Sequence, residues 1–358
     1  MKTHSSAHFF TSLFRKKDQY PWKGHIELTY RCNLNCIHCY CKGCEEKGKE
    51  LSSEEFRNIF NQLSKEGCLS LVFSGGEPLI RNDFLEIYSY VKKKGFIITI
   101  FSNGLLFTDE ILDYLEKFPP FSIEITLNAI TQATYEAVTQ VSGSFAKTLE
   151  NIKKIKERKL PLILKANALK QNKNEIVKIK EFTEKFLGKG KDKYYFKYDP
   201  ILYPRLNLDN ALSNLRLSFR ELTDLAKEDL DIWQEYKRNL HSSLSSLKRG
   251  RGFLYQCNSW MEEFIIDPFG RLKFCMLSDK FSVDLRTTSF KEGFYEILPQ
   301  VLKQHFRTKS ECRKCSLRSN CINCPAIAFL ETGNEESPTP YFCQFAKAMS
   351  QERAKLNC

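Results

Sequence analysis

Between His25 and Tyr198 the apolar pattern switches repeatedly between two periods, and this alternation restricts the fold more than any other feature of the chain. Short apolar runs at His25–Tyr30, Leu69–Phe73, Phe96–Phe101, Phe121–Leu127, Leu160–Leu169 and Tyr194–Tyr198 read as strands. Segments of helical period separate them. The first opens at Ser52-Ser53-Glu54-Glu55, a helix-start signal, and sets Phe56, Ile59, Phe60 and Leu63 on one face. Further helices are expected over Asn82–Lys94, with Phe84, Ile87, Tyr88 and Val91 inward, and over Thr108–Lys117, Ser144–Arg158 and Asn174–Phe186. Six strands separated by helices imply a parallel sheet with right-handed crossovers. Ligands of such sheets sit where the strands end, so the residues after each strand are expected to form one site.

Those residues carry chemistry. The first strand runs into Cys32-Asn33-Leu34-Asn35-Cys36-Ile37-His38-Cys39, a C-x3-C-x2-C loop followed by Tyr40. Three thiolates so close in sequence can ligate three irons of a cubane and leave the fourth open. A zinc site completed by Cys41 or Cys44 uses similar spacings. After the second strand comes Ser74-Gly75-Gly76-Glu77-Pro78, after the third Ser102-Asn103-Gly104, and after the fourth Asn128. Asn103 suits either a ligand contact or the turn before Gly104.

Cysteine usage separates two regions of the 358-residue chain. Of 14 cysteines, five lie between 32 and 44, one at 68, none from 69 to 256 and eight from 257 onward. No continuous apolar core marks a signal peptide before Tyr20, and no apolar run reaches membrane-spanning length, so a cytoplasmic protein using thiols for metal is expected. The apolar fraction of 42% fits a globular chain. A net charge of +12 lies mostly on helical solvent faces such as Asn151–Lys159, without the arginine-aromatic stripe of a nucleic-acid binder.

The order strand, C-x3-C-x2-C loop, helix, strand, GGEP resembles the radical S-adenosylmethionine (SAM) superfamily. The resemblance implies a partial (β/α)6 TIM-like barrel in which Cys32, Cys36 and Cys39 hold a [4Fe–4S] cluster whose open iron binds SAM. It implies further cofactor contacts from Tyr40, Gly75, Gly76, Glu77, Pro78, Ser102, Asn103, Thr126 and Asn128, the GGEP backbone lining the SAM amino group. Two departures stand out. Thr126-Leu127-Asn128-Ala129 replaces the S-L-D-G often found after the fourth strand, and Thr139-Gln140-Val141-Ser142 occupies the place of an arginine that pairs with the SAM carboxylate. Lys165, on the strand face of Asn167, is the candidate substitute. Tyr198-Asp199-Pro200 with Pro204-Arg205 resembles a segment of peptide-modifying relatives, with Asp199 placed to orient substrate, accept a proton or cap a turn.

The second cysteine region comprises Cys257, Gly270, Cys275, Cys312-x2-Cys315-x5-Cys321-x2-Cys324 and Cys343. Alone, Cys312 to Cys324 reads as a zinc ribbon. Behind a radical SAM core it resembles the SPASM extension, which houses two auxiliary [4Fe–4S] clusters. By that resemblance Cys312, Cys315, Cys321 and Cys343 bind the outer cluster and Cys257, Cys275 and Cys324 the inner one. The x2 spacing of Cys321 and Cys324 departs from the usual x3, and Ser259, Trp260, Met261, Glu262 and Glu263 offer no fourth cysteine, leaving an open iron or a distant ligand such as Cys358. Cys41, Cys44 and Cys68 read as structural thiols. The expected division is an N-terminal tail (1–21), radical SAM core (22–215), helical connector (216–250) packing through Leu225, Leu230, Trp233 and Leu240, SPASM domain (251–345) and C-terminal tail (346–358).

The resemblance therefore implies reductive cleavage of SAM and hydrogen abstraction from a ribosomally made peptide, with thioether or carbon–carbon crosslinking. Expected partners are a flavodoxin or ferredoxin donor and a separate leader-binding protein, since about twenty residues precede the first strand. Alternatives are a haem-pathway or other small-molecule enzyme, a sulfatase-maturating oxidase, against which Met276 follows Cys275 where an aspartate is expected, and a non-enzymatic zinc scaffold.

Overall fold

In the computed structural model, residues 19–44, 48–188, 195–241, 250, 252–257, 262–318 and 321–356 are described. Six parallel strands follow the expected order: β1 (Lys23–Thr29), β2 (Ser70–Gly75), β3 (Ile97–Ser102), β4 (Ser122–Thr126), β5 (Leu162–Asn167) and β6 (Phe196–Asp199). Each pairs with the next, as in Ile26↔Phe73 and Phe73↔Ile100, so all six end on one side of the sheet. The sheet stays open. Tyr194 of the expected sixth strand and the tail before Gln19 lie outside the described residues.

Beyond β1 the sheet continues with strands that the sequence pattern did not disclose. Glu263–Ile266 (β7) pairs in parallel with β1 through Ile26↔Ile266, and Arg271–Lys273 (β8) and Val283–Asp284 (β9) add antiparallel. The cysteine-rich region thus shares one nine-stranded sheet with the core.

The core fills the space between the sheet and its helices. Helix α1 (Ser53–Lys65) starts in a capping box, the Ser52 hydroxyl accepting from the Glu55 amide while the Glu55 carboxylate accepts from the Ser52 amide. Its buried face is Phe56, Ile59, Phe60 and Leu63, as expected. Helix α2 (Phe84–Lys93) turns Phe84, Ile87, Tyr88 and Val91 inward. Rings of Phe56, Phe60, Phe73 and Phe84 meet in sequence at 5.8 to 6.5 Å, stacked in the first pair, tilted in the second and edge-on in the third. Each such ring contributes roughly 1.5–3 kcal/mol on burial. Helix α3 (Asp109–Lys117) is capped by Thr108.

Three local expectations change. A helix at Gln132–Thr139 (α4) precedes α5 (Ser144–Glu157) where none was read. Phe121 is 67% exposed and lies before β4 rather than within it. In the connector, helices Phe219–Lys227 (α7) and Leu230–His241 (α8) follow α6 (Ile176–Leu187); Leu225 is buried, but Leu230 is 71% exposed and Ile232 takes its place. Leu230 opens its helix, so its side chain projects beyond the packed turns. The Leu240 side chain lies outside those described. The connector packs on a 17-residue helix, Pro340–Leu356, which runs through the expected end of the cysteine-rich region. There Phe219 meets Phe345 edge-on at 5.1 Å. No helix among the described residues is long and apolar enough to cross a membrane.

Candidate active site

On the strands the usual alternation is inverted in meaning. Along β5, Leu162, Leu164 and Ala166 point into the helix-covered core while Ile163, Lys165 and Asn167 face the concave side. His25, Ser74, Phe101 and Thr126 lie on the same inner face, and with Lys165, Asn167 and Asp199 they line a cavity of about 450 Å3 at the strand ends. Cys32, Cys36 and Cys39 border it. The site expected from the loops after each strand is therefore one place.

Backbone contacts from distant segments fix the cysteine loop. The amides of Asn35 and Ile37 donate to the carbonyls of Thr139 and Val138 at the end of α4, at 3.1 and 3.0 Å. The Arg205 guanidinium donates to the Ile37 carbonyl at 2.9 Å and pairs with Asp209 at 2.6 Å. Asn103 donates to Asn33 Oδ1 at 2.7 Å and to the Cys32 thiol at 3.7 Å.

The glycines of the GGEP segment serve the chain's own close approach. Gly75 has φ +130°, and a Cβ there would lie 2.0 Å from the Thr29 carbonyl oxygen; one on Gly76 would lie 2.3 Å from that of Arg31. These contacts let the Gly76 and Glu77 amides donate to Thr29 and Arg31 and so join the two loops. Glu77 and Pro78 are buried behind the cavity wall. The Glu77 carboxylate accepts from the Ser102 hydroxyl, from the Asn103 amide at 2.7 Å and from the Leu79 amide at 3.1 Å. Burial pushes its pKa up to about 7 against these hydrogen bonds.

The remaining expected residues are accounted for individually. Thr126, Asn128, Tyr40 and Lys165 line the cavity. Lys165 pairs with Glu124 at 3.3 Å and stands over the Phe101 ring, and burial lowers its pKa to about 8. Tyr40 turns its hydroxyl to Glu27. Asn128 accepts from the Asn167 amide at 2.9 Å, which directs its NH2 toward His38 Nε2 at 3.4 Å.

His25, His38, Asn167 and Tyr203 also line the cavity but were not singled out as site residues. Burial lowers the pKa of His38 to about 4, aided by Arg205, and that of His25 to about 3, aided by Lys165 and Lys23. Both imidazoles are neutral. A polar residue at every second position of β1, against Ile26 and Leu28, was the signal for His25.

None of the thirteen described cysteines is joined in a disulfide. Cys41 and Cys44 are buried with Tyr30 and Phe269, and Cys68 is buried in the main core. In the C-terminal region Cys312, Cys315, Cys321, Cys324 and Cys343 border a second cavity of about 240 Å3. Cys321 is pushed up to about 11, by burial first and then by Cys343, Cys312 and Cys315. Cys275 is pushed up to about 12 by burial and then by Cys324 and Cys257. In both cases burial leads and the neighbouring cysteines add to it. Residues 258–261 and Cys358, where a further inner ligand was considered, lie outside the described residues.

A [4Fe–4S] cluster and SAM suit the residues at the first cavity. Burial pushes the Cys32 thiol up to about 11 and the Cys36 thiol higher still, and Cys39 adds to both, a donor set that a cationic iron centre relieves. His38 Nδ1 and Arg205 Nε beside the loop are buried nitrogens without a hydrogen-bond partner. With Nε2 of His38 accepting from Asn128, Nδ1 carries the proton and offers a donor at the cavity. Among the described residues no group of three or more His, Cys, Asp or Glu is arranged to hold a single metal ion.

Residues 26–183 match the model of the radical SAM superfamily. The AdoMet-dependent heme synthase of Methanosarcina barkeri is 24% identical over 88% of this chain and 94% of its own length. The subtilosin biosynthesis protein AlbA of Bacillus subtilis is 24% identical over 89% of this chain and 70% of its own. In fold, the chain is similar to Streptococcus suis SuiB bound to precursor peptide SuiA, with TM-score 0.69 and 16% identity over 94% of this chain and 80% of that one. A strand-end cysteine loop seated against a GGEP turn on an open parallel sheet accords with this match, which identifies a radical SAM domain over residues 26–183.

Proposed function

We propose that the chain modifies a ribosomally made peptide, with Cys32, Cys36 and Cys39 holding the SAM-binding cluster and the two C-terminal thiol sets holding auxiliary [4Fe–4S] clusters. The observation that carries this reading is the pairing of one three-thiol loop on the cavity with further thiols gathered in a C-terminal region whose own strands extend the same sheet. Relatives named for subtilosin biosynthesis and for sporulation killing factor maturation support the peptide as substrate. When bound, the cluster and SAM supply an electron and a 5′-deoxyadenosyl radical that abstracts hydrogen.

The chain's own residues orient and shield. Gly75 and Gly76 present backbone to the cavity, and Asn103 and Arg205 keep the cysteine loop in place. His38 Nδ1 donates to the bound cofactor. Lys165, held by Glu124, sets a cation on the floor, and Asp199, its pKa raised by burial, faces the substrate side with Tyr203. Met276 and Leu277, next to Cys275, close the wall and bring the inner thiol set beside the substrate. Cys312, Cys315, Cys321 and Cys343 form the outer ligand set, and Cys257, Cys275 and Cys324 the inner one. Residues 22–215 act as the core, 216–250 as connector and 251–345 as the SPASM unit. A flavodoxin or ferredoxin donor and a leader-binding protein complete a cytoplasmic system.

A haem-pathway reaction is the second reading, favoured by the heme synthase relative matched over most of its length. Anaerobic turnover with SAM separates the two. Loss of hydrogen from an added precursor peptide, read by mass, supports the first; conversion of a haem precursor instead supports the second.

A further inference from the structure

Glu27 lies on the inner face of β1 with no exposed surface, and two phenols converge on it. The Tyr30 hydroxyl donates to one carboxylate oxygen at 2.8 Å and the Tyr40 hydroxyl to the other. Tyr40 follows Cys39 directly, so this bond ties Glu27 to the last thiol of the cysteine loop. Across the sheet, His25 pairs with Ile265 and Ile265 with Lys273, which puts Lys273 on the same face as Glu27. Lys273 is 1% exposed, pairs with Asp279 at 2.9 Å and donates to the Met276 carbonyl at 3.4 Å, in the turn that starts at Cys275. A buried carboxylate therefore stands between the N-terminal thiol loop and the inner C-terminal thiols.

Among the described residues, five titratable groups act on Glu27 or on the phenols bound to it. Tyr40 and Cys41 come from the cysteine loop, Tyr30 from the end of β1, Asp267 from the end of β7 and Lys273 from β8. Behind them Arg271 pairs with Asp267 at 2.7 Å. Burial raises the Glu27 pKa, while Lys273 and then the two phenols pull it down. Tyr30, Tyr40 and Cys41 are all pushed upward, which leaves them neutral.

We propose that Glu27 is a positioning residue that holds the Cys39 end of the loop through Tyr40 and takes up one proton when one electron enters the iron–sulfur group there. This rests on the reading that the loop carries a cluster. The electron comes from a low-potential one-electron donor. The proton comes from solvent and converts the carboxylate to a carboxylic acid; no bond at iron forms or breaks. Adding a negative charge near a buried carboxylate favours its protonated form, which is the coupling.

The test is the midpoint potential of the reconstituted full chain as a function of pH, followed by electron paramagnetic resonance without substrate. The wild-type potential falls with rising pH toward about 59 mV per unit, the tenfold equivalent for one electron. Glu27→Gln flattens the profile at an unchanged iron count. Lys273→Met, which removes the charge favouring ionised Glu27, moves the sloping region to higher pH. A flat wild-type profile overturns the proposal without any variant, as does an unchanged slope in iron-loaded Glu27→Gln. Wild-type protein that binds no iron instead overturns the cluster reading, so the two failures are told apart.

Discussion

Asn103 closes the gap between β3 and the cysteine loop, its NH2 donating to Asn33 Oδ1 at 2.7 Å and to the Cys32 thiol at 3.7 Å. Its Oδ1 accepts from the Leu105 amide at 3.0 Å, which fixes the orientation of the side chain. Asn103→Ala removes all three contacts. The expected loss is about 1–2 kcal/mol, on a scale of roughly 1 kcal/mol per net hydrogen bond. Urea unfolding reads this, and the reconstituted variant gives up iron to a chelator faster than wild type.

Gly76→Ala tests whether the two loops need their close approach. The new Cβ would meet the carbonyl oxygens of Arg31 and Tyr30 at 2.3 and 2.6 Å, and backbone cannot yield as a side-chain end can. Strain of at least about 1–3 kcal/mol follows. Lower thermal stability and reduced iron loading are expected together; a variant with wild-type values for both would show that the loops separate freely.

Stability carries a pH signature from Glu77. Its folded pKa of about 7 lies above the ordinary 4.5, so the folded chain binds this proton more tightly than the unfolded chain. The contribution favours folding at low pH and is lost as pH rises from about 4.5 to about 7, by on the order of 3 kcal/mol for a fully buried group. Urea midpoints across that window read it. Glu77→Gln removes this contribution to the slope, at the cost of an acceptor for the Asn103 or Leu79 amide.

Arg216 joins the core to the C-terminal region. It is buried, donates to the Leu202 carbonyl at 2.8 Å, pairs with Glu331 at 2.6 Å and stacks on Tyr341 and Phe342 at 4.9 and 5.0 Å. Arg216→Ala leaves Glu331 without this cation, and breaking a buried pair costs about 3–5 kcal/mol. Limited proteolysis is expected to separate the cysteine-rich region from the core at lower protease concentration than in wild type.

The six parallel strands were legible because each is a short apolar or alternating run set between segments of helical period, and their order fixed where the loops meet. β7, β8 and β9 were not, because runs of four, three and two residues gain their identity only by pairing with β1 far away in sequence. Helix α4 was missed for want of apolar periodicity; it ends at Gln140, held at φ 59°. Glu77 was expected to meet the cofactor through the GGEP backbone; that its carboxylate anchors Ser102 and Asn103 depends on contacts from β3 that the sequence does not display. Glu27 went unnoticed since a lone acid in a strand gives no hint of the phenols that reach it from Tyr30 and Tyr40.

Iron, sulfide and zinc per chain after anaerobic reconstitution, with 5′-deoxyadenosine formed from SAM under dithionite, test the three-site account most directly. The account predicts about twelve irons and as many sulfides, no stoichiometric zinc, and 5′-deoxyadenosine. About four irons with zinc in the C-terminal thiols would contradict it and reduce that region to a zinc module.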